Sequence, residues 1–175
     1  MASMNDRNFS VSELKSQMND LAKPFLFSID FPQQLSDRLA PVLCRSAQIP
    51  TKTIGMVEVP YFGIPLKLAG NPTFEDWSTQ FIVDDAFKIR NSIEAWSNKA
   101  FQMEGNGGQK FGTPDEYLGD IVIKQLNPQR EVIASYKLHM AWPSIVGQIE
   151  LNHETVNTPE QFDVTFTYSF WTRLT

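Results

Sequence analysis

A single cysteine, Cys44, stands in 175 residues. No disulfide can close within the chain, and a catalytic thiol would need a histidine carried to it by the fold. Histidine is almost as scarce: His139 and His153 belong to no HxH, HxxxH or Cys/His cluster, which leaves a metal ion without a ligand set. Cations are in deficit, with 15 Lys and Arg against 20 Asp and Glu, a net charge of -5 and a pI near 5.0. Gripping a phosphate backbone requires clustered cations that displace counterions, so tight nucleic-acid binding is excluded as a main activity. No apolar run approaches the ~20 residues of a membrane-spanning helix. The start, "MASMNDRNFSVSELKSQ", lacks a cationic stretch followed by an apolar one, and the expectation is a protein kept in the cytoplasm where it is made. Phosphate loops of the form GxxxxGK[ST] and nucleophile turns of the form GxSxG are missing. The one glycine cluster, "GNGG" at 105–108, has no strand leading into it.

What is present is a pattern of strands. With 42% hydrophobic and 20% charged residues, the chain has the composition of one folded domain. In "QFDVTFTYSFW", Phe162, Val164, Phe166, Tyr168 and Phe170 alternate with Gln161, Asp163, Thr165, Thr167 and Ser169, a period of two with one dry and one wet face. "EVIASYKLHMAW" places Val132, Ala134, Tyr136, Leu138, Met140 and Trp142 on one side, with Glu131, Ser135, Lys137 and His139 on the other. "FLFSIDF" alternates in the same way, and "DIVIKQLNPQREVI" predicts a hairpin turning in "NPQR".

Two helices are expected. The first spans 10–21, with Ser10 and Glu13 as a capping box and Pro24 beyond its end. The second runs from about Asp84 to Phe101, capped by Asp84 or Asp85, with Ala86, Ile89, Ile93, Trp96 and Ala100 at helical spacing. "EGNGGQKFGTPDEY" follows as a polar loop. The fold class is therefore mainly β: an antiparallel β barrel or sandwich with one packed α-helix and a short amino-terminal helix. Residues 1–20 form an arm and residues 21–175 a single domain.

The acid pairs do not assemble an active site. Glu75 and Asp76 are neighbours, so on a strand they point to opposite faces and cannot face one another as acid and base. Asp84 with Asp85, and Asp115 with Glu116 after Pro114, read as helix starts. Trp77 shares its parity with Thr79, Phe81 and Val83 and is assigned to the core. No catalytic, cofactor-binding or metal-binding residue is expected, and function must reside in surfaces.

One segment has too much apolar character for a solvated connection. "IGMVEVPYFGIPLKL", residues 54–68, exposes Met56, Val57, Val59, Tyr61, Phe62 and Ile64 unless something covers them, and Pro60 and Pro65 cannot serve a central strand. Two readings stay open: a hairpin folded back on its own core, or an arm that contacts another subunit.

"LAGNPTFEDWSTQFIVDD" resembles the strand-to-helix segment of the tail tube proteins of contractile-tailed bacteriophages, where a Gly, Thr-Phe, an acid and Trp precede a strand and an acidic helix start. "WPSIVGQIELNHETVNTPEQFDVTFTYSFW" resembles that family's closing hairpin, and "LAKPFLFSIDF" is similar to its first strand, so the similarity runs from about Leu21 to Trp171. The resemblance implies a non-enzymatic structural virion protein whose hexameric rings stack into a helical tube. Its implied partners are further copies of itself, the tail sheath protein, and baseplate and tail terminator proteins. DNA passes through the lumen without specific binding, and tails assemble in the host cytoplasm. On this reading Met56, Val57, Val59, Tyr61, Phe62 and Ile64 form the subunit interface. An inner-tube protein of a bacterial contractile injection or type VI secretion system would share the fold, whereas a ligand-binding β sandwich would remain a monomer with an open apolar pocket.

Overall fold

The computed structural model describes residues 22–35, 40–105, 107–154 and 158–175. The expected amino-terminal helix and arm lie outside the described residues. Eleven strands are present among them: β1 (Phe27–Asp30), β2 (Cys44–Ala47), β3 (Thr53–Tyr61), β4 (Ile64–Thr73), β5 (Trp77–Ile82), β6 (Phe101–Met103), β7 (Gln109–Phe111), β8 (Gly119–Leu126), β9 (Val132–Val146), β10 (Gln161–Thr167) and β11 (Phe170–Arg173). The helices are α1 (Ala40–Leu43), α2 (Lys88–Ala100) and α3 (Pro114–Tyr117).

The main sheet is antiparallel throughout, in the order β1-β8-β9-β10-β5-β2, with β11 also paired to β9. It behaves as two half-sheets that share the 15-residue β9. The first half of β9 lies between β8 and β11, where Leu138 faces both Ile121 and Trp171. Its second half, Trp142–Val146, pairs with β10. The result is an open, barrel-like sandwich whose end strands β1 and β2 do not meet.

The transfer from one half-sheet to the other occurs at Met140. Opposite Asp120, β9 carries an extra residue, since Gly119 pairs with Ala141 and Ile121 with Leu138. Met140 takes a positive φ of 56°. A bulge of this kind bends a strand and reverses its parity. The expected stripe through Met140 and Trp142 is therefore broken: Leu138, Ala141 and Pro143 face inward, while Met140 is 41% exposed. Asp120 Oδ1 accepts a hydrogen bond from the Met140 amide at 3.2 Å and holds the bulge.

The last strand also divides. Phe162, Val164, Phe166 and Tyr168 are buried as their alternation requires, but the ladder with β5 ends at Phe166, and Phe170 begins a separate strand on β9. Phe170 is exposed on one side and stacks on His139 at 4.5 Å. Ser135, expected on the wet face, is buried, and its hydroxyl donates to Thr175 Oγ1.

The core lies between the half-sheets and under α2. Ile89, Ile93 and Trp96 of α2 are fully buried, and the Trp96 ring lies 5.6 Å from Phe166. The Trp96 indole donates to the Tyr117 carbonyl, so the polar edge of this buried ring has a partner. Around Phe166 and Phe81 gather Phe31, Trp77 and Phe162. Burying a ring of this size removes enough apolar surface that truncation to alanine costs about 3–5 kcal/mol.

Asp84 starts α2 from outside it. The residue just before the helix is Phe87, in the left-handed region at φ 54°, and it has no side-chain cap to offer. The Asp84 carboxylate reaches forward instead, accepting from the amides of Ile89 at 3.1 Å and Lys88 at 3.2 Å. Ala86 lies in the exposed turn before the helix rather than on its buried face. The segment expected to be a polar loop is more ordered than its composition suggested. β6 and β7 form a small hairpin in which Phe101 and Phe111 pack at 5.0 Å, and α3 follows with a capping box between Thr113 and Glu116.

Candidate functional site

Among the described residues, β3 and β4 form an arm that pairs only with itself. Nine residues of β3 at ~3.3 Å each give a ribbon of roughly 30 Å. Every residue of β3, and every residue of β4 except Gly70, is exposed. The segment is a hairpin, but its exposure among the described residues does not match the reading in which it folds back on its own core.

The register divides the side chains cleanly. Val57 lies opposite Leu68, Val59 opposite Leu66 and Tyr61 opposite Ile64. Directly opposed residues share a face, so these six form one continuous apolar surface. The other face carries Met56 opposite Ala69, Glu58 opposite Lys67 and Pro60 opposite Pro65. Of the six positions singled out from the sequence, Val57, Val59, Tyr61 and Ile64 come together here. Met56 points to the opposite face, and Phe62 sits at the tip, 91% exposed and edge-on to Tyr61 at 4.8 Å. Leu66 and Leu68 complete the apolar face and were missed, although the alternation of β4 contains them.

The turn and the prolines fit this geometry. Phe62 and Gly63 both have positive φ, 45° and 81°, as a two-residue hairpin turn of matching twist requires. Such a turn closes on a hydrogen-bonded pair, here Tyr61 with Ile64, and bonded and non-bonded pairs then alternate. Pro60 and Pro65 consequently occupy a non-bonded pair, where a missing N–H breaks nothing within the hairpin and blunts both outer edges near the tip.

At its root the arm continues the main sheet. Thr53 pairs with Thr73 and Ile54 with Pro72, and beyond a short break Ala47 pairs with Thr79 and Ser46 with Gln80, in the same register. One ribbon thus runs from Cys44 to Ile82, interrupted at 48–52 and 74–76. Two indoles bind the interruption: Trp77 Nε1 donates to the Gln48 carbonyl at 2.6 Å, and Trp171 Nε1 to the Thr51 carbonyl at 2.9 Å. The Thr51 hydroxyl donates across the gap to Glu75. Trp77 is in the core as expected, and Glu75 and Asp76 stand exposed beside the break. Their charges, added to the larger effect of burial, raise the Tyr168 phenol above its ordinary pKa.

The groups with nucleophilic or acid–base potential are dispersed. Cys44 is buried and its thiol is pushed up to about 12 by burial, which keeps it protonated. His139 is held between the Phe170 ring, Thr172 Oγ1 at 2.9 Å and Asp120. His153 lies on an exposed loop. Asp120 accepts from Lys137 at 2.7 Å; burial raises its carboxyl, but Lys137 and the Met140 amide outweigh this and hold it below the usual range. Of these, Asp120 and His139 fasten the bulge and the β11 strand to β9.

The family model for phage tail tube proteins matches residues 4–174 of this chain. The tail tube protein gp19 of Enterobacteria phage T4 is 24% identical over 157 residues, 89% of this chain and 93% of that protein. The tail tube protein of Serratia phage KSP90 is 30% identical over 127 residues, 73% of this chain and 71% of that protein. Among solved structures, a chain of the sheath/tube terminator of an extracellular contractile injection system shares the fold at TM-score 0.67, with 12% identity over 89% of this chain and 98% of that one. A chain of the tube-terminating cap of the anti-feeding prophage also gives 0.67, with 19% identity over 89% and 92%.

Proposed function

The chain belongs to the phage tail tube protein family, and we propose that its copies close into hexameric rings that stack into a hollow tube through which the phage genome passes. It is a structural component of the virion tail. The reading assigns it no catalytic activity of its own, and its partners are first other copies of the same chain, then the sheath around the tube and the baseplate and terminator proteins at its ends.

The observation that carries this reading is the arm. Six apolar side chains and Phe62 stand in water along a ribbon too thin to bury them itself. A soluble monomer rarely leaves so large a contiguous apolar patch uncovered. The blunted outer edges discourage indiscriminate strand addition, so the apolar face is the surface offered for contact. An arm docking on a different surface of its neighbour makes a heterologous contact, and repetition of such contacts generates rings and helical tubes. Val57, Val59, Tyr61, Phe62, Ile64, Leu66 and Leu68 then supply the buried centre of the joint. Met56 contributes from its other side.

The alternative of an inner-tube protein in a bacterial contractile injection or type VI secretion system rests on likeness of fold at low identity, whereas the sequence relatives are phage tail tube proteins. Negative-stain microscopy of the purified protein at rising concentration tests the proposal. Six-fold rings and tubes are expected, and a monomer at every concentration would overturn it.

A further inference from the structure

We infer that Glu75, Asp76 and the Tyr168 hydroxyl, at the root of the arm, form a binding site for a hard divalent cation of the calcium class. The site belongs to the single subunit and does not depend on assembly.

Tyr168 carries an orphaned oxygen. The residue is only 7% exposed, and among the described residues its buried hydroxyl has no hydrogen-bond partner. A buried hydroxyl left unsatisfied costs stability, and folded chains give nearly all such groups a partner. The indoles of Trp77, Trp96 and Trp171 follow that rule, each donating its N–H to a carbonyl. Tyr168 departs from it beside a source of negative charge.

That charge comes from two unpaired carboxylates. Residues 74–76 lie between β4 and β5, outside any ladder, so the rule that sends neighbouring strand residues to opposite faces does not apply to Glu75 and Asp76. Both charges reach the phenol: burial first, then Asp76 and Glu75, raise its pKa and keep it protonated and neutral. Both carboxylates are exposed, and among the described residues neither belongs to an ion pair. Glu75 accepts from the Thr51 hydroxyl at 3.3 Å. The Phe74 ring packs 6.3 Å from that of Tyr168, which holds this end of the break against it.

The chemistry of these groups selects the ligand. Two negative charges beside a neutral hydroxyl repel an anion and attract a cation. Every donor is an oxygen, from two carboxylates and a phenol, with no thiol or imidazole among them, and such a set suits calcium or magnesium rather than zinc or copper. Calcium takes about six to eight oxygens in flexible geometry and completes its shell with water, so it tolerates a site built partly on an exposed connection, where magnesium demands a stricter octahedron. The phenol oxygen would turn a lone pair to the ion and its proton to a carboxylate, which supplies the interaction the hydroxyl lacks. Tyr168 stands where the chain leaves β10 for β11, so an ion held there ties the root of the arm to the junction of the two half-sheets.

Terbium luminescence tests the inference on the purified, unassembled chain. Terbium(III) takes the same oxygen ligands as calcium and emits strongly when an excited aromatic ring lies close, as Trp77 and Tyr168 would. Sensitised emission should rise to saturation and be displaced by excess calcium. Glu75→Gln with Asp76→Asn should raise the half-saturating concentration by at least about tenfold. Tyr168→Phe keeps the ring packing and leaves Trp77 as sensitiser, and should raise it by about tenfold. Glu150→Gln with Glu154→Gln, exposed acids on another loop, should leave it unchanged. Calcium should also raise the unfolding temperature of the unsubstituted chain, as a ligand of the folded state must. The Tyr168→Phe chain should lose that gain and be no less stable than the unsubstituted one in calcium-free buffer, since it removes an unsatisfied oxygen. No saturable emission, or a half-saturation indifferent to Tyr168→Phe, would overturn the inference. An equal weakening by the Glu150 and Glu154 changes would overturn it too, by reducing binding to general attraction between opposite charges. Loss of stability in calcium-free Tyr168→Phe counts against it, because the hydroxyl would then have a partner other than the ion.

Discussion

Trp77 and Gln48 are joined across the one interruption in a long β ribbon: the buried indole donates to a carbonyl that has lost its place in the sheet ladder, at 2.6 Å. The same indole packs on Phe166 at 5.6 Å, so one side chain couples the root of the arm to the core. Trp77→Phe keeps most of the apolar bulk and removes the donor. Leaving a partly buried carbonyl without a partner costs about 1–3 kcal/mol, a loss that urea unfolding of the unassembled protein will register. Trp171→Phe, at the more exposed second clamp, should cost less in stability. An equal loss from both would mean that burial does not separate the two clamps.

On the apolar face of the arm, Val59→Asp, Tyr61→Asp and Leu66→Asp should leave the unfolding midpoint of the unassembled protein nearly unchanged, within about 0.5 kcal/mol for surface positions. Tubes should disappear, because a desolvated, unpaired carboxylate at a repeated contact is expensive. Sedimentation and microscopy read assembly, and circular dichroism reads the fold. Met56→Asp, which places the same charge on the Glu58–Lys67 face, should impair assembly less than Leu66→Asp. The reverse order would assign the contact to the other face.

Acid should loosen the starts of α2 and α3. Burial raises the Asp84 carboxyl, but the amides of Ile89 and Lys88 and the charge of Lys88 bring it below its ordinary value; at Glu116 the Thr113 amide and hydroxyl lower it first, with the Lys110 and Lys99 charges adding to them. A carboxyl with a lowered folded-state pKa binds fewer protons folded than unfolded. Its stabilisation is therefore present above the unfolded value of about 4 and is lost as pH falls through the folded one. Thermal unfolding from pH 7 to 2 should show this decline, and Asp84→Asn with Glu116→Gln should flatten it. A decline of unchanged slope in the double variant would place the acid sensitivity elsewhere.

The two histidines should separate. His153→Ala, on an exposed loop, should be nearly silent. His139→Ala removes the stack on Phe170 and the bond to Thr172, and an aromatic pair of this kind is worth about 0.5–1.5 kcal/mol. Neither change should abolish tubes, since neither residue lies on the arm. Loss of infectivity from normal tubes in either variant would point to a role for histidine beyond packing.

What the sequence determined by itself was local and periodic. Alternation along β5 and β10 commits Trp77, Phe81, Phe162 and Phe166 to one side, because successive strand residues must point to opposite faces. Helical spacing commits Ile89, Ile93 and Trp96 in the same way, and Asn127–Arg130 turns where its residues favour a turn. Tertiary structure decided where those periods break. The extra residue at Met140 is worth keeping only because β9 has to serve two half-sheets, and the stop at Tyr168 exists because β11 must return to the first of them. The arm makes the same point from the other direction. Apolar residues on both of its faces hide the alternation that groups Leu66 and Leu68 with Val57 and Val59, and only the pairing of β3 with β4 sorts them. Whether that face is core or contact depends on what the rest of the chain leaves to cover it, and burial of that kind is set by distant segments rather than by neighbours in sequence.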